Sequence, residues 1–382
     1  MDPKKKFFLF KKAQYFCSVP WNYFKINPDG TIYTCVLGKE LLGNVKQQDI
    51  HEILKNPVLK EIRQSLYNDQ PHKNCAECNA VERKTSEHGE YKFLRDLYNN
   101  YFIKSDVDYS DPDEFVLGGV DLHWHSICNL KCITCWPFQS SAIAQEMRIP
   151  IQSTNEREVD GLINWMIAQQ HTLKEVYLCG GEPTLIKHNL RLLKQLDKNT
   201  DCLIRVNTNL TFSDDNPVVE EVLKFPNVLF TISADATGDQ FEYIRQGADW
   251  RVFTKNIDRI TKTHARSLIN SVFFVGSAQR LMQTQEFYRN EFGIDNFTVN
   301  QCRMEKYSLM ARNLPDHIKA ITAENIRNGI AQYPNETNLV AQLNNCLDEL
   351  AEQPNGLDYK AYFDDIDNRR KTNWRLVFPE LE

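Results

Sequence analysis

Three cysteines crowd into Cys128-Asn129-Leu130-Lys131-Cys132-Ile133-Thr134-Cys135, and four more, Cys17, Cys35, Cys75 and Cys78, lie upstream. Clustered thiols of this kind point to metal rather than disulfides. The total of eleven is odd, and the apolar run Phe7–Phe10 is too short for a signal-peptide core. Three thiolates on one short loop can take three irons of a four-iron cluster and leave the fourth iron open, as a Lewis acid and one-electron donor. A structural zinc site wants four ligands and closure, so zinc with His125 as fourth ligand, or plain buried thiols, are the competing readings. The upstream four can close one site: Cys17 and Cys35 flank a hairpin, and Cys75-x2-Cys78 forms a compact pair. Their spacing suits zinc and a four-iron cluster alike. Cys179, Cys202, Cys302 and Cys346 fall in apolar or helical contexts and read as core residues, although Cys179 adjoins a glycine turn.

The Cys-x3-Cys-x2-Cys spacing resembles the signature of the radical S-adenosylmethionine (SAM) superfamily. The resemblance implies that Cys128, Cys132 and Cys135 hold a [4Fe–4S] cluster whose open iron is chelated by the amino and carboxylate groups of SAM. It further implies reductive cleavage of SAM to methionine and a 5′-deoxyadenosyl radical that abstracts hydrogen. Gly180-Gly181-Glu182-Pro183 matches the family's Gly-Gly-Glu-Pro, whose acidic side chain and backbone carbonyls accept hydrogen bonds from the SAM ammonium. Glycines let backbone approach closely, and a cation needs acceptors. Asn207, in Asn207-Thr208-Asn209, falls where the family sets polar groups near the ribose or methionine moiety. By the same resemblance Ser233 and Arg245 contact the SAM carboxylate, and Asp235 holds local structure or the ribose. The residue before the third cysteine, often aromatic in the family, is Thr134 here, and Trp136 follows. Without the resemblance, Glu182 is a tight-turn glutamate, Asn207 and Ser233 cap turns, and Arg245 makes a surface ion pair. Gln279 and Arg280 are further candidates for substrate or adenosine contact. His123 and His125 share one side of a strand, either facing a barrel interior or packed.

Residues 13–85 resemble the auxiliary-cluster modules called SPASM and twitch domains, through Pro20-Trp21, Pro28-Asp29-Gly30, Leu42-Gly43-Asn44-Val45, Ile62-Arg63 and the closing Cys75-x2-Cys78. The full SPASM form has seven cysteines and two clusters, so four cysteines fit one cluster and the shorter twitch-like form. The resemblance therefore implies a second [4Fe–4S] cluster at Cys17, Cys35, Cys75 and Cys78, with structural zinc as the alternative. In the family this module usually follows the barrel, and here it precedes it.

Several elements must position these groups. A hairpin, Tyr23–Ile26 and Thr31–Tyr33, turns at Asn27-Pro28-Asp29-Gly30, and a helix is expected over Ile50–Leu66. Residues 86–114 read as a connecting helix and an acidic linker from Ser105 to Glu114. From 115 to 310, strands expected at Val120–Trp124, Glu175–Cys179, Leu203–Asn207, Val228–Ser233, Ser271–Val275 and Phe297–Asn300 alternate with helices. Such alternation implies right-handed βαβ units and a parallel sheet. The expected fold is α/β: a partial (β/α)6 TIM-like barrel with a small N-terminal cysteine-rich α+β module, and C-terminal helices over 311–382. Loops after the strand C-termini form the active face of such a barrel.

The net charge of −6 argues against nucleic acid as the main partner, because phosphate binding needs clustered cations. The only basic run, Lys4-Lys5-Lys6 with Lys11-Lys12, reads as a solvated tail. No stretch approaches the roughly 18 apolar residues of a membrane span, so the expectation is a cytoplasmic protein. Expected partners are a peptide or small-molecule substrate and an external flavodoxin- or ferredoxin-like reductant. The leading activity is radical oxidation or cross-linking of a peptide or protein. The alternatives are a twitch-type dehydrogenase of a small alcohol or sugar, and a non-catalytic metal-binding or electron-carrier protein.

Overall fold

The computed structural model describes residues 13–86, 94–103, 107–151, 153–302 and 308–382. The N-terminal basic run, residues 87–93 of the connector, and Ser105 and Asp106 of the acidic linker lie outside the described residues. The N-terminal segment forms β1 (Tyr23–Ile26), β2 (Thr31–Tyr33) and β3 (Gly43–Asn44). The barrel segment forms β4 (Gly119–Leu122), β5 (Lys131–Cys132), β6 (Glu175–Leu178), β7 (Leu203–Thr208), β8 (Val228–Ser233), β9 (Arg245–Gln246), β10 (Arg266–Phe273) and β11 (Phe297–Gln301). Six strands run parallel in chain order, β4-β6-β7-β8-β10-β11. Consecutive neighbours of this kind are what helical crossovers on one face produce. The arrangement is the expected partial barrel.

Pleating sorts the side chains. Val120, Leu122, Val176, Leu178, Ile204, Val206, Phe230 and Ile232 are fully buried in one apolar core with Phe253, Ile257 and Ile260 of helix Trp250–Thr261. With a period of two, Asp121, Tyr177, Arg205 and Thr231 must face the other way, into the lumen. That lumen is polar.

The hairpin does not stand apart from the barrel. β1 pairs parallel with β4, Tyr23 opposite Gly119 and Lys25 opposite Asp121, and β2 and β3 follow antiparallel. One nine-stranded sheet results among the described residues, in the order β11-β10-β8-β7-β6-β4-β1-β2-β3. Two local expectations need correction. The helix expected over Ile50–Leu66 is two, Ile50–Leu54 and Pro57–Tyr67, because Pro57 lacks an N–H and Asn56 caps the second by accepting from Val58 N at 2.7 Å. The fifth barrel strand lies earlier than expected, ending at Phe273, because the Ser277 hydroxyl accepts from Phe274 N at 3.2 Å and turns the chain there. Helices Asp316–Gln332, Thr337–Ala351 and Tyr359–Arg370 form the expected C-terminal region. Among the described residues, no helix is long and apolar enough to cross a membrane.

Glu175, at the start of β6, is buried, and this burial outweighs Arg205 at 3.8 Å and raises its carboxyl to about 7. A folded-state value above the unfolded one means the stabilisation is present below about pH 4.5 and is lost as pH rises through about 7. The loss should be on the order of 3 kcal/mol. Glu175→Gln should flatten this slope when unfolding by urea is followed from pH 4 to 8; an unchanged slope would mean Glu175 ionises freely in the folded chain.

Candidate functional site

The loop after β4 carries Cys128, and Cys132 sits in the two-residue strand β5. β5 pairs antiparallel with β9, so that Cys132 lies opposite Arg245. Arg245 Nη1 is 3.9 Å from Cys132 Sγ, and its Nη2 is 2.8 Å from Asp235 Oδ2. Both partners are buried, so Arg245 is no surface ion pair. Asp235 Oδ1 also accepts from Val272 N at 2.8 Å, which fixes the carboxylate to β10. Removing one member of such a buried pair strands the other charge.

The turn at 180–183 is built onto the same loop. Gly181 N donates to His125 O at 3.2 Å and Glu182 N to Ile127 O at 2.7 Å. A Cβ on Gly181 would fall 2.0 Å from Ile127 O, and Gly180 has φ +106° with His125 O where a Cβ would point. Glycine is required at both positions for steric reasons. Glu182, 2% exposed, is held on all sides: Oε1 accepts from Thr184 N, Thr184 Oγ1 (2.7 Å) and Thr208 Oγ1 (2.8 Å), and Oε2 accepts from Asn209 N (2.7 Å). Burial raises its carboxyl, and these donors pull the other way. Pro183 O accepts from Asn189, whose Oδ1 takes the Trp124 Nε1 hydrogen, so the turn is also tied to the end of β4.

The structure brings some of the sequence-predicted residues to the cysteine loop and sets others elsewhere. Asn209, not Asn207, reaches the cysteine loop, with Nδ2 3.9 Å from Cys128 Sγ and 3.0 Å from Asn129 Oδ1. Asn207 and Ser233 lie on the lumen side of β7 and β8, and Asn207 Oδ1 is buried with no hydrogen-bond partner. His125 Nδ1 accepts from Ile127 N at 2.9 Å and so shapes the loop. Arg280 turns towards the C-terminal helices, near Glu380 at 3.4 Å, and with Gln279 lines a surface cavity beside Ile321 and Asn325. The C-terminal helix was not anticipated at the site. Tyr362 donates to Ile133 O at 3.0 Å, and Arg370 donates to Lys131 O at 2.7 Å while pairing with Glu146. Nothing in a polar-faced helix announces such a role.

Cys17, Cys35, Cys75 and Cys78 line one cavity with Asn74, Arg95 and Tyr98. Arg95 pairs with Glu82, whose Oε1 is 3.6 Å from Cys78 Sγ. The cavity lies at the N-terminal end of β1, beside Val19, Tyr23 and Phe102. The three-cysteine loop follows the C-terminal end of β4, so the two thiol sets occupy opposite ends of the sheet.

Burial raises the thiols of Cys17, Cys35 and Cys128, and pushes Cys75 and Cys78 up to about 11 and Cys132 to about 12. Such thiols ionise only when a cation compensates them. Among the described residues, no three of the seven lie mutually within 4.8 Å. Thiolates on one tetrahedral zinc, with Zn–S about 2.3 Å, would stand roughly 3.8 Å apart.

A partial parallel barrel with a thiol loop, a glycine turn and a buried arginine defines a cofactor-binding α/β class. Residues 124–278 match the radical SAM superfamily, and residues 17–79 match the SPASM iron–sulfur cluster-binding domain. The chain thus carries a radical SAM domain and, ahead of it in sequence, a SPASM-type iron–sulfur module. These domains imply a [4Fe–4S] cluster with SAM, and auxiliary iron–sulfur at the N-terminal domain. No curated protein matches the chain. Among solved structures, it is similar to anSMEcpe with bound AdoMet and Kp18Cys peptide (16% identity, TM-score 0.43, 56% of this chain and 60% of that one). It is also similar to Streptococcus suis SuiB bound to precursor peptide SuiA (16%, 0.42, 84% and 70%) and to TYW1 with a lysine-pyruvate adduct (17%, 0.36, 64% and 80%). The chain thus spans three-fifths of the length of anSMEcpe.

Gly181→Ala would drive a methyl group into the Ile127 carbonyl. After anaerobic reconstitution it should lose about half of the bound iron, that of the barrel loop. Full iron content and an unchanged melting temperature would show that turn and loop are not coupled.

Proposed function

We propose that this chain is a radical SAM enzyme that takes hydrogen from a peptide or protein substrate, which is thereby oxidised or cross-linked. The observation that carries the reading is the docking of the Gly180–Glu182 turn on the backbone that precedes Cys128. It brings cation acceptors beside a loop whose three thiolates leave one iron open. When bound, the cluster supplies the electron that splits SAM and so generates the hydrogen-abstracting radical.

The protein's part is to bind and orient. Cys128, Cys132 and Cys135 hold the barrel cluster. The backbone of Gly180 and Gly181, with Glu182 and Pro183 shaping the turn, receives the SAM ammonium. Arg245, fixed by Asp235, offers its guanidinium to the carboxylate next to Cys132. Asn207 and Ser233 face the lumen, where the nucleoside and substrate meet. Cys17, Cys35, Cys75 and Cys78 hold the auxiliary cluster, at the other end of the sheet. An external flavodoxin- or ferredoxin-like protein supplies electrons. The four-cysteine count of the N-terminal set favours one further reading, a twitch-type dehydrogenase of a small alcohol or sugar.

With dithionite and SAM, reconstituted protein should hold roughly eight irons and release 5′-deoxyadenosine. Cys132→Ala should hold roughly four and release none. Cleavage that survives this substitution would remove the site assignment. Deuterium moving into 5′-deoxyadenosine from a labelled peptide, and not from a labelled alcohol or sugar, selects the first reading over the second.

A further inference from the structure

Between the two thiol sets lies a third group of donors that neither uses. Asp121 lies on the lumen face of β4, and His123 and Cys179 directly follow the last residues of β4 and β6. The register pairs Asp121 with Tyr177 and Leu122 with Leu178, which brings His123 level with Cys179. A carboxylate oxygen, an imidazole nitrogen and the thiol sulfur lie mutually within 4.8 Å, the only such trio among the described residues. His123 Nε2 is 2.8 Å from Asp121 Oδ1. Beyond that contact, the second Asp121 oxygen and His123 Nδ1 are buried without a hydrogen-bond partner. Asp121 is 1% exposed. A carboxylate and an imidazole so enclosed cost free energy unless something satisfies them.

The chemistry of the set identifies what does. One thiolate, one imidazole and one carboxylate form a mixed S, N, O shell that suits zinc-class divalent cations rather than magnesium or calcium. Two of the three ligands are anionic when bound, so a divalent cation is neutralised in place. Three protein ligands leave a fourth position, as in sites that bind an exchangeable group. We propose that Asp121, His123 and Cys179 bind one zinc-class divalent cation in the barrel lumen, with its open position available to a substrate heteroatom or water. The site requires neither SAM nor the radical reaction, so it stands or falls separately from the proposed function. In the absence of a cation, burial disfavours a charged His123, but Asp121 and Cys179 outweigh it and raise the imidazole to about 10. A closed ion pair is therefore the competing state.

The test uses full-length protein with its iron–sulfur sites loaded anaerobically, titrated with zinc alone. Iron content and circular dichroism serve as controls for cluster loading and folding. The expected result is one zinc per chain, with a zinc-edge X-ray absorption shell of one sulfur at about 2.3 Å and nitrogen or oxygen at about 2.0–2.1 Å. Cys179→Ser should lose the sulfur and bind at least about tenfold more weakly with iron unchanged; Asp121→Asn, the second variant, should weaken binding while keeping the sulfur. No stoichiometric zinc in fully iron-loaded protein, a four-sulfur shell, or equal binding by folded variants would each overturn the proposal.

Discussion

The site depends on one backbone contact. Two carbonyls just before Cys128, those of His125 and Ile127, accept the N–H groups of Gly181 and Glu182. No side chain could be interposed, since a Cβ on Gly181 would overlap Ile127 O. The loop that carries the thiols and the turn that carries the acceptors therefore move as one unit. Around it, Ser140 donates to Leu130 O and Ser141 to Cys128 O, and Arg370 and Tyr362 hold the Lys131 and Ile133 carbonyls from the C-terminal helix. A loop with so many of its carbonyls bound keeps its thiols in place before any cofactor arrives.

The second constraint is sheet continuity. Because β1 pairs in parallel with β4, the N-terminal thiol cavity is fixed at one end of a strand whose other end begins the three-cysteine loop. β4 has four residues, roughly 13 Å at 3.3 Å each. Tyr98 lines the thiol cavity and packs on Tyr23 and Phe102, and Phe102 lies where a Cβ on Gly119 would point. A module that precedes the barrel in sequence thereby reaches it by strand addition.

Much of this was legible in the sequence. Alternation of apolar runs with helical patterns gave six strands in the right order, because parallel strands with buried faces leave a strong signal. The Cys-x3-Cys-x2-Cys loop and Gly-Gly-Glu-Pro were visible because backbone approach and thiol spacing restrict residue type. Contacts set by tertiary register were not. The approach of Asn209 to Cys128 could not be read, since local spacing cannot say which side chain of a strand end turns back to the cysteine loop. Arg245 gave no sign that it would be buried, because its partner Asp235 lies ten residues away across a helix. Asp121 was passed over and Cys179 read as core, for their closeness to His123 exists only once β4 and β6 pair.

Magnetic resonance on the dithionite-reduced, cluster-loaded protein frozen with SAM tests the open iron most directly. The SAM should carry 17O in its methionine carboxylate and 15N in its amino group. Hyperfine coupling of both labels to the reduced cluster is expected, since both groups would bind the iron that Cys128, Cys132 and Cys135 leave open. Reduced clusters that show neither coupling, in protein with full iron content, would contradict it.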